Sequence, residues 1–219
     1  MAEFVVHTAL GSPFGRAVLA TLLEKGAPYT LVPVAPGAWK VEPHLSLHPF
    51  GRVPVLEHSG IVLYETQAIL RYLDRVLPSP LLTPSDPRTI ARMDQVMGIC
   101  DWYLFQGVVN VIGFQRLVRP HLTKLPPDEA AIAQAMPRAH AVLRVLDRIL
   151  GEQQHLVGDR VTLADLHLAP HLAFLARTPE WPKLITPTPG LAGWLDRMND
   201  RESFRSTVRE RLAETSGTP

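Results

Sequence analysis

The chain has 219 residues, 46% hydrophobic and 20% charged, with a formal net charge of +1. That near-neutral balance argues against a nucleic-acid partner or an anionic membrane surface. The single Cys100 excludes an internal disulfide and a cysteine-rich metal centre. No charged-then-apolar leader opens at Met1 and no apolar run approaches 18 residues, so a cytoplasmic protein without a membrane span is expected.

Phe4-Val5-Val6 reads as a first strand. Gly11-Ser12-Pro13 follows, with serine as an N-cap and proline at the first helical position. Val18, Leu19, Leu22 and Leu23 give that helix a buried face, and Gly26 ends it. Tyr29-Thr30-Leu31-Val32 is a second strand, which a βαβ connection makes parallel to the first. A short helix is expected around Glu42 to Leu47.

The stretch His48 to Leu73 carries most of the information. Val53-Pro54-Val55-Leu56 and Ile61-Val62-Leu63-Tyr64 flank the turn Glu57-His58-Ser59-Gly60 and form a β-hairpin. Ala68, Ile69, Tyr72 and Leu73 then recur at helical spacing, and the helix runs through Arg75. Pro54 cannot donate to a ladder, so it marks either a sheet edge or a cis peptide that leaves neighbouring backbone groups to a ligand. Glu65-Thr66 stands where strand gives way to helix, and the unpaired amides of a helix start favour an anion. Together these features suit a small peptide-like ligand with a carboxylate.

Leu77 to Pro87 is rich in proline and serine and reads as a linker between a domain over 1–78 and a second over 88–219. The second half is helical throughout. Met93, Val96, Met97, Cys100, Leu104, Gly107, Val108, Val111 and Ile112 share one face of a long helix that Pro120 stops. Ile132 to Leu150 forms another, which Pro137 should kink or restart. Thr162-Leu163-Ala164-Asp165 is a capping box, with Val161 and Leu166 as its staple. A helix from Pro189 runs through Met198, and the polar tail after Leu212 should fray.

This order resembles the cytosolic glutathione transferases. Pro49-Phe50-Gly51-Arg52-Val53-Pro54-Val55-Leu56 is similar to the family's NPFGxVPxL segment. Tyr64-Glu65-Thr66-Gln67-Ala68-Ile69 is similar to its E-S/T-x-A-I segment, and Gly158 to Asp165 to its G-D-x-x-T-x-A-D box. The resemblance implies an α/β plus all-α architecture, a thioredoxin-like βαβ–ββα domain followed by an all-helical one. Ser12 and the closing Glu24-Lys25-Gly26 resemble the bacterial and phi-like members, whose catalytic hydroxyl is a serine at the start of the first helix. Trp39, Arg52 and His48 depart from that pattern, where His, Gln and Asn are common.

The roles that the resemblance implies follow residue by residue. Ser12 and the positive end of its helix would stabilise the thiolate of glutathione, since the thiolate is the nucleophile. The backbone at Val53, beside Pro54, would pair with the cysteinyl unit. Glu65 would take the γ-glutamyl ammonium and Thr66 its carboxylate. Lys40, with Trp39 or Arg52, would hold the glycine carboxylate, and Phe14 would border the site. A hydrophobic electrophile would lie against Phe14, Trp102, Phe105 and Ile112, and Phe50 would key a homodimer. The implied activity is detoxifying: conjugation of glutathione, the co-substrate, to hydrophobic electrophiles, or reduction of organic hydroperoxides. The alternative is a non-catalytic glutathione-binding or protein-interaction module.

Each of these residues also has a plain structural reading. Ser12 and Thr66 are good helix caps, Glu65 a first-turn acid, Phe50 and the aromatics around Trp102 core residues, and Asp165 a folding element. Cys100 reads as a small buried hydrophobe. His167 and His171 have metal-ligand spacing, but no third ligand is evident and no metal is expected.

Overall fold

The computed structural model describes residues 3–216, which form two compact units. The first holds strands β1 (Phe4–Thr8), β2 (Tyr29–Pro33), β3 (Val55–His58) and β4 (Ile61–Tyr64), with helices α1 (Pro13–Glu24), α2 (His44–Leu47) and α3 (Thr66–Val76). The sheet order is β2-β1-β3-β4. β1 and β2 are parallel, whereas β3 runs antiparallel to both β1 and β4. This is the thioredoxin-like βαβ–ββα order that the first half implies.

The sequence explains why α1 starts and lies where it does. Ser12 caps it with extended backbone, Pro13 fills the position whose amide needs no partner, and Val18, Leu19 and Leu22 are fully buried. α1 packs on α3, whose Ile69, Leu70 and Leu73 are equally buried, over Val6 and Leu56 of the sheet. At the end of the α1–α3 layer, Lys25 Nζ donates to Asp74 Oδ1 at 2.8 Å and to the Pro80 carbonyl at 2.7 Å. Asp74 Oδ1 also accepts from the Leu82 amide at 2.9 Å. The Pro/Ser-rich stretch is thus pinned by a buried ion pair.

The second unit is Thr83–Asn199 and contains α4 (Pro87–Ile99), a π-type helix over Cys100–Val118, α5 (Arg119–Thr123), α6 (Glu129–Leu150), α7 (Leu163–Leu175), α8 (Trp181–Ile185) and α9 (Pro189–Asn199). Two expectations change here. The long helix is not stopped by Pro120, which fits the first turn of α5 without needing a donor. It breaks instead at Gln106 (ψ 112°) and Gly107 (φ 86°), where Asn110 Oδ1 takes the freed Gly107 amide at 2.6 Å. Arg138 supplies donors to the exposed carbonyls of Trp102 and Tyr103, at 2.8 and 3.2 Å. The stretch Pro87–Thr123 is long and apolar enough by length and composition to cross a membrane, but it packs on α6 and α7 as a core helix does. α6 runs through Pro137 without restarting.

The capping box of α7 forms as read. Asp165 Oδ2 accepts from the Thr162 amide at 2.9 Å and its hydroxyl at 3.0 Å. Asp165 Oδ1 reaches further, to the Leu156 amide and Trp194 Nε1, both at 2.9 Å.

The end of the chain corrects the domain boundaries. The first unit extends to Leu82 and resumes from Asp200, so the helical domain does not run to the end of the chain. α10 (Glu202–Arg205) and α11 (Arg209–Ser216) pack with the first unit, and the described part of the tail after Leu212 is helical. The reason is chemical: Arg201 Nε and Nη2 bind Glu24 of α1 at 2.8 and 2.7 Å, and Ser203 donates to the same carboxylate. Residues 217–219 lie outside the described part.

Candidate active site

The register of the sheet decides where the sequence-predicted residues meet. Thr8, the last residue of β1, pairs with Pro33, the last of β2. His7 pairs with Val55, the first residue of β3, and Val55 pairs with Tyr64, the last of β4. The connections that follow β1, β2 and β4 and the one that precedes β3 therefore all leave the same edge of the sheet. They carry Ser12, then Trp39 and Lys40, then Glu65 and Thr66, and finally Arg52, Val53 and Pro54. Residues up to 54 positions apart in sequence reach one rim of the first unit.

Ser12 sits at the positive pole of α1. Its Oγ accepts from the Gly15 amide at 3.3 Å, its amide donates to Ala9 at 3.0 Å, and its carbonyl accepts from the Arg16 amide at 2.9 Å. The capping bond uses the oxygen only, so the hydroxyl proton stays available to an acceptor beyond the helix. Capping and catalysis therefore do not compete for the same atom. Phe14, two residues on, is half-buried in the first turn.

Val53–Pro54 is a cis peptide. Next to it, Arg52 is exposed, and its carbonyl receives His44 Nε2 at 2.7 Å. Gly51 lets two segments touch: with φ 56°, a Cβ there would lie 2.7 Å from the Trp39 carbonyl and 3.1 Å from Lys40 Cδ. Lys40 Nζ is 3.4 Å from the Phe50 carbonyl. Trp39 and Lys40, in a short 3₁₀ turn over Ala38–Lys40, are thus built onto the 50–52 turn.

Glu65 is the N-cap of α3 and holds φ 71°, ψ 110°, a conformation L-residues rarely adopt. Its side chain makes no capping bond and is exposed, while Thr66 behind it is buried. Backbone strain of this kind gathers at ligand clamps. Beside it, His48 is buried with its ring centroid 4.7 Å from that of Tyr64. Burial pushes the His48 imidazole below its usual pKa, more than Glu65 pulls it up. Sequence reading missed this packing, because His48 looked only like a substitution in a motif. Phe50 stands out from the same turn, 66% exposed.

The second unit treats its predicted residues unequally. Trp102 is 71% exposed, and Phe105 is half-buried with its ring edge toward His171. Ile112 is fully buried in the core, which removes it from any substrate wall; helical periodicity did not distinguish the core face from a lining face. An open groove of about 690 Å³, not foreseen, lies between α4 and the end of α6, with Ile99, Val145 and Ile149 beneath Arg88, Arg92 and Arg148.

The metal-like spacing also acquires neighbours. Cys100 and Asp101 bring ligand-type atoms within 4.8 Å of one another and of His167. Within this group His167 Nε2 bonds Asp101 Oδ1 at 2.7 Å, and His171 Nδ1 bonds the His167 carbonyl at 2.8 Å. Burial, with the neighbouring His167, pushes the His171 imidazole down to about 3, and burial with Asp101 pushes the Cys100 thiol well up. Cys100 is fully buried, as the sequence reading expects of a small hydrophobe.

Comparison with known proteins agrees with this arrangement. The glutathione S-transferase N-terminal domain family matches residues 11–76, and the C-terminal domain family residues 110–202. A glutathione S-transferase of Hyoscyamus muticus is 33% identical over 93% of this chain and 96% of its own. Glutathione transferase F2 of Populus trichocarpa superposes with a TM-score of 0.85 at 28% identity, covering 96% of this chain and 100% of that one. A theta-class enzyme of Xanthomonas axonopodis pv. citri, solved with glutathione bound, gives 0.82 at 27% identity over 95% and 98%. Two domain matches in order, full-length relatives and a shared fold lead to one conclusion: the chain is an enzyme of the glutathione S-transferase family.

Proposed function

We propose that this enzyme activates glutathione as a thiolate at Ser12 and conjugates it to hydrophobic electrophiles, in the manner of the phi-type members. The observation that carries the reading is the convergence of the Ser12, Trp39–Lys40, Arg52–Pro54 and Glu65–Thr66 connections on one sheet edge. An ordinary thiol titrates near ~8.5, so the site must favour the charged form. Ser12 Oγ–H donates to sulfur, and the unpaired amides of α1 add a positive pole. The thiolate then attacks the electrophilic carbon and displaces its leaving group; with an organic hydroperoxide it takes the terminal oxygen and releases the alcohol, and a second glutathione converts the resulting sulfenic acid to glutathione disulfide and water.

The tripeptide is held by matched charge. Glu65 accepts from the γ-glutamyl ammonium, and the start of α3 at Thr66 takes its carboxylate. The backbone of Val53, beside Pro54, pairs with the cysteinyl amide. Lys40, with Trp39 and Arg52, takes the glycine carboxylate. Phe14 borders the path of the electrophile on the first unit. The enzyme works in the cytoplasm as a homodimer keyed by Phe50. The groove floored by Ile99, Val145 and Ile149 is the surface we assign to the partner's Phe50.

Ser12→Ala tests the central claim. Turnover of an activated aryl chloride is expected to fall by about 10- to 100-fold, the cost of one hydrogen bond to a charged sulfur, with glutathione affinity nearly intact. Unchanged turnover would remove Ser12 from the chemistry.

A further inference from the structure

The first turn of α1 is held from the far end of the chain. Arg16, one turn past Ser12, donates through Nη2 to the Phe204 carbonyl at 2.9 Å and through Nε to Thr207 Oγ1 at 3.3 Å. Its guanidinium also lies 5.1 Å over the Phe204 ring. At the other end of α1, Glu24 receives Arg201 and Ser203. Residues 201–207 are therefore fixed along α1, and α11 begins two residues later.

The first residue of α11 is Arg209, and it lies across Gly11. A Cβ placed on Gly11 would be 3.5 Å from Arg209 Cδ, 3.8 Å from its Cβ and 3.9 Å from its Cγ. The aliphatic stem thus covers the residue immediately before Ser12. The guanidinium carbon is two bonds beyond Cδ, so standard bond lengths put it within about 6 Å of that point. None of the ion pairs among the described residues involves Arg209.

We propose that Arg209 is a positioning residue of the thiolate site: its stem holds the Gly11–Ser12 connection, and its guanidinium adds a fixed positive field to that of α1. This rests on the placement of the glutathione sulfur at Ser12. On losing its proton to solvent the sulfur gains a full negative charge, and a cation held beside Gly11, the residue before Ser12, stabilises only that charged state. Through partly solvated surroundings such a charge lowers the titration of the sulfur by about half a pH unit. Because Arg209 is exposed, added salt weakens the effect.

The test is the thiolate absorbance of glutathione bound to the full chain, titrated at low and high salt, for Arg209→Gln, Arg209→Lys and Ser12→Ala. Arg209→Gln is expected to raise the midpoint by about half a pH unit at low salt, less at high salt, and to move the acid limb of kcat/KM with it. Arg209→Lys keeps the charge and is expected to titrate like the wild type. Arg209→Gln superposing on the wild type while Ser12→Ala shifts would overturn the proposal and leave the Ser12 reading standing. Equal, salt-independent shifts in Gln and Lys would reduce Arg209 to a structural stem and overturn the electrostatic role. No shift in Ser12→Ala would overturn the placement of the sulfur, and the proposal with it.

Discussion

Glu65 and Gly51 show how single residues shape the rim. Glu65 keeps φ 71° and makes no capping bond in return, a backbone cost on the order of 1–3 kcal/mol. A carboxylate stands there at a position where a helix start would otherwise take a simple Ser or Asp cap. Gly51 has the opposite role, since absence of a side chain lets the Trp39 carbonyl come close. Between them stands Phe50, an aromatic ring left 66% exposed while its edge meets His48 and Tyr64. Burying one such ring contributes about 1.5–3 kcal/mol, and a two-fold dimer buries two. Phe50→Ala is therefore expected to raise the dimer dissociation constant by at least about 100-fold. Analytical ultracentrifugation across a dilution series checks this, and an unchanged constant would remove Phe50 from the interface.

Elements were legible in the sequence wherever the signal was local. Ser12-Pro13 marked the start of α1, the Gly60 turn marked the hairpin, and Thr162–Asp165 marked the start of α7, because each depends on residues within a few positions. The break at Gln106–Gly107 was not legible: Gly107 sits in an apolar run that keeps helical periodicity on both sides, and the opened backbone is met by the Asn110 side chain and by Arg138, on another helix. Nor was the burial of Ile112, since periodicity shows that a face is apolar and not what covers it. α7 offers the sharpest energetic test. Asp165 accepts from two main-chain amides, a hydroxyl and an indole, all buried. Asp165→Ala leaves those donors without acceptors, each at about 1–3 kcal/mol, so a loss of at least about 3 kcal/mol is expected in urea unfolding. A smaller loss would mean that water replaces the carboxylate.

At the scale of the whole molecule, stability should depend on pH through groups in both units. His48 and His171 have pKa values depressed by burial, so the folded chain holds fewer protons than the unfolded chain as pH falls below 6.5. Their contribution is complete above that value and is lost with acidification. Burial alone would raise the Glu24 carboxyl, but its bonds to Arg201 and Ser203 lower it overall. Its contribution is complete above 4.5 and is lost below. From pH 7.5 to 5.5 the neutral His171 imidazole alone costs about 1.4 kcal/mol of stability, a fall of about 3–6 °C in Tm for a chain of this size. Calorimetry at both pH values measures it, and His171→Gln should flatten the curve. A Tm that rises on acidification would contradict the neutral state of His171.

The return of the C-terminal segment to the first unit has a consequence for synthesis on the ribosome. Domains usually fold in the order in which they emerge, the N-terminal one first. Here the first unit is complete only when Arg201, Ser203, Phe204 and Thr207 have been translated, because they close on Glu24 and Arg16 of α1. The whole of Thr83–Asn199 is made in between. The nascent chain therefore carries α1, with Ser12 at its head, without these closing contacts until residues 201–207 have been made.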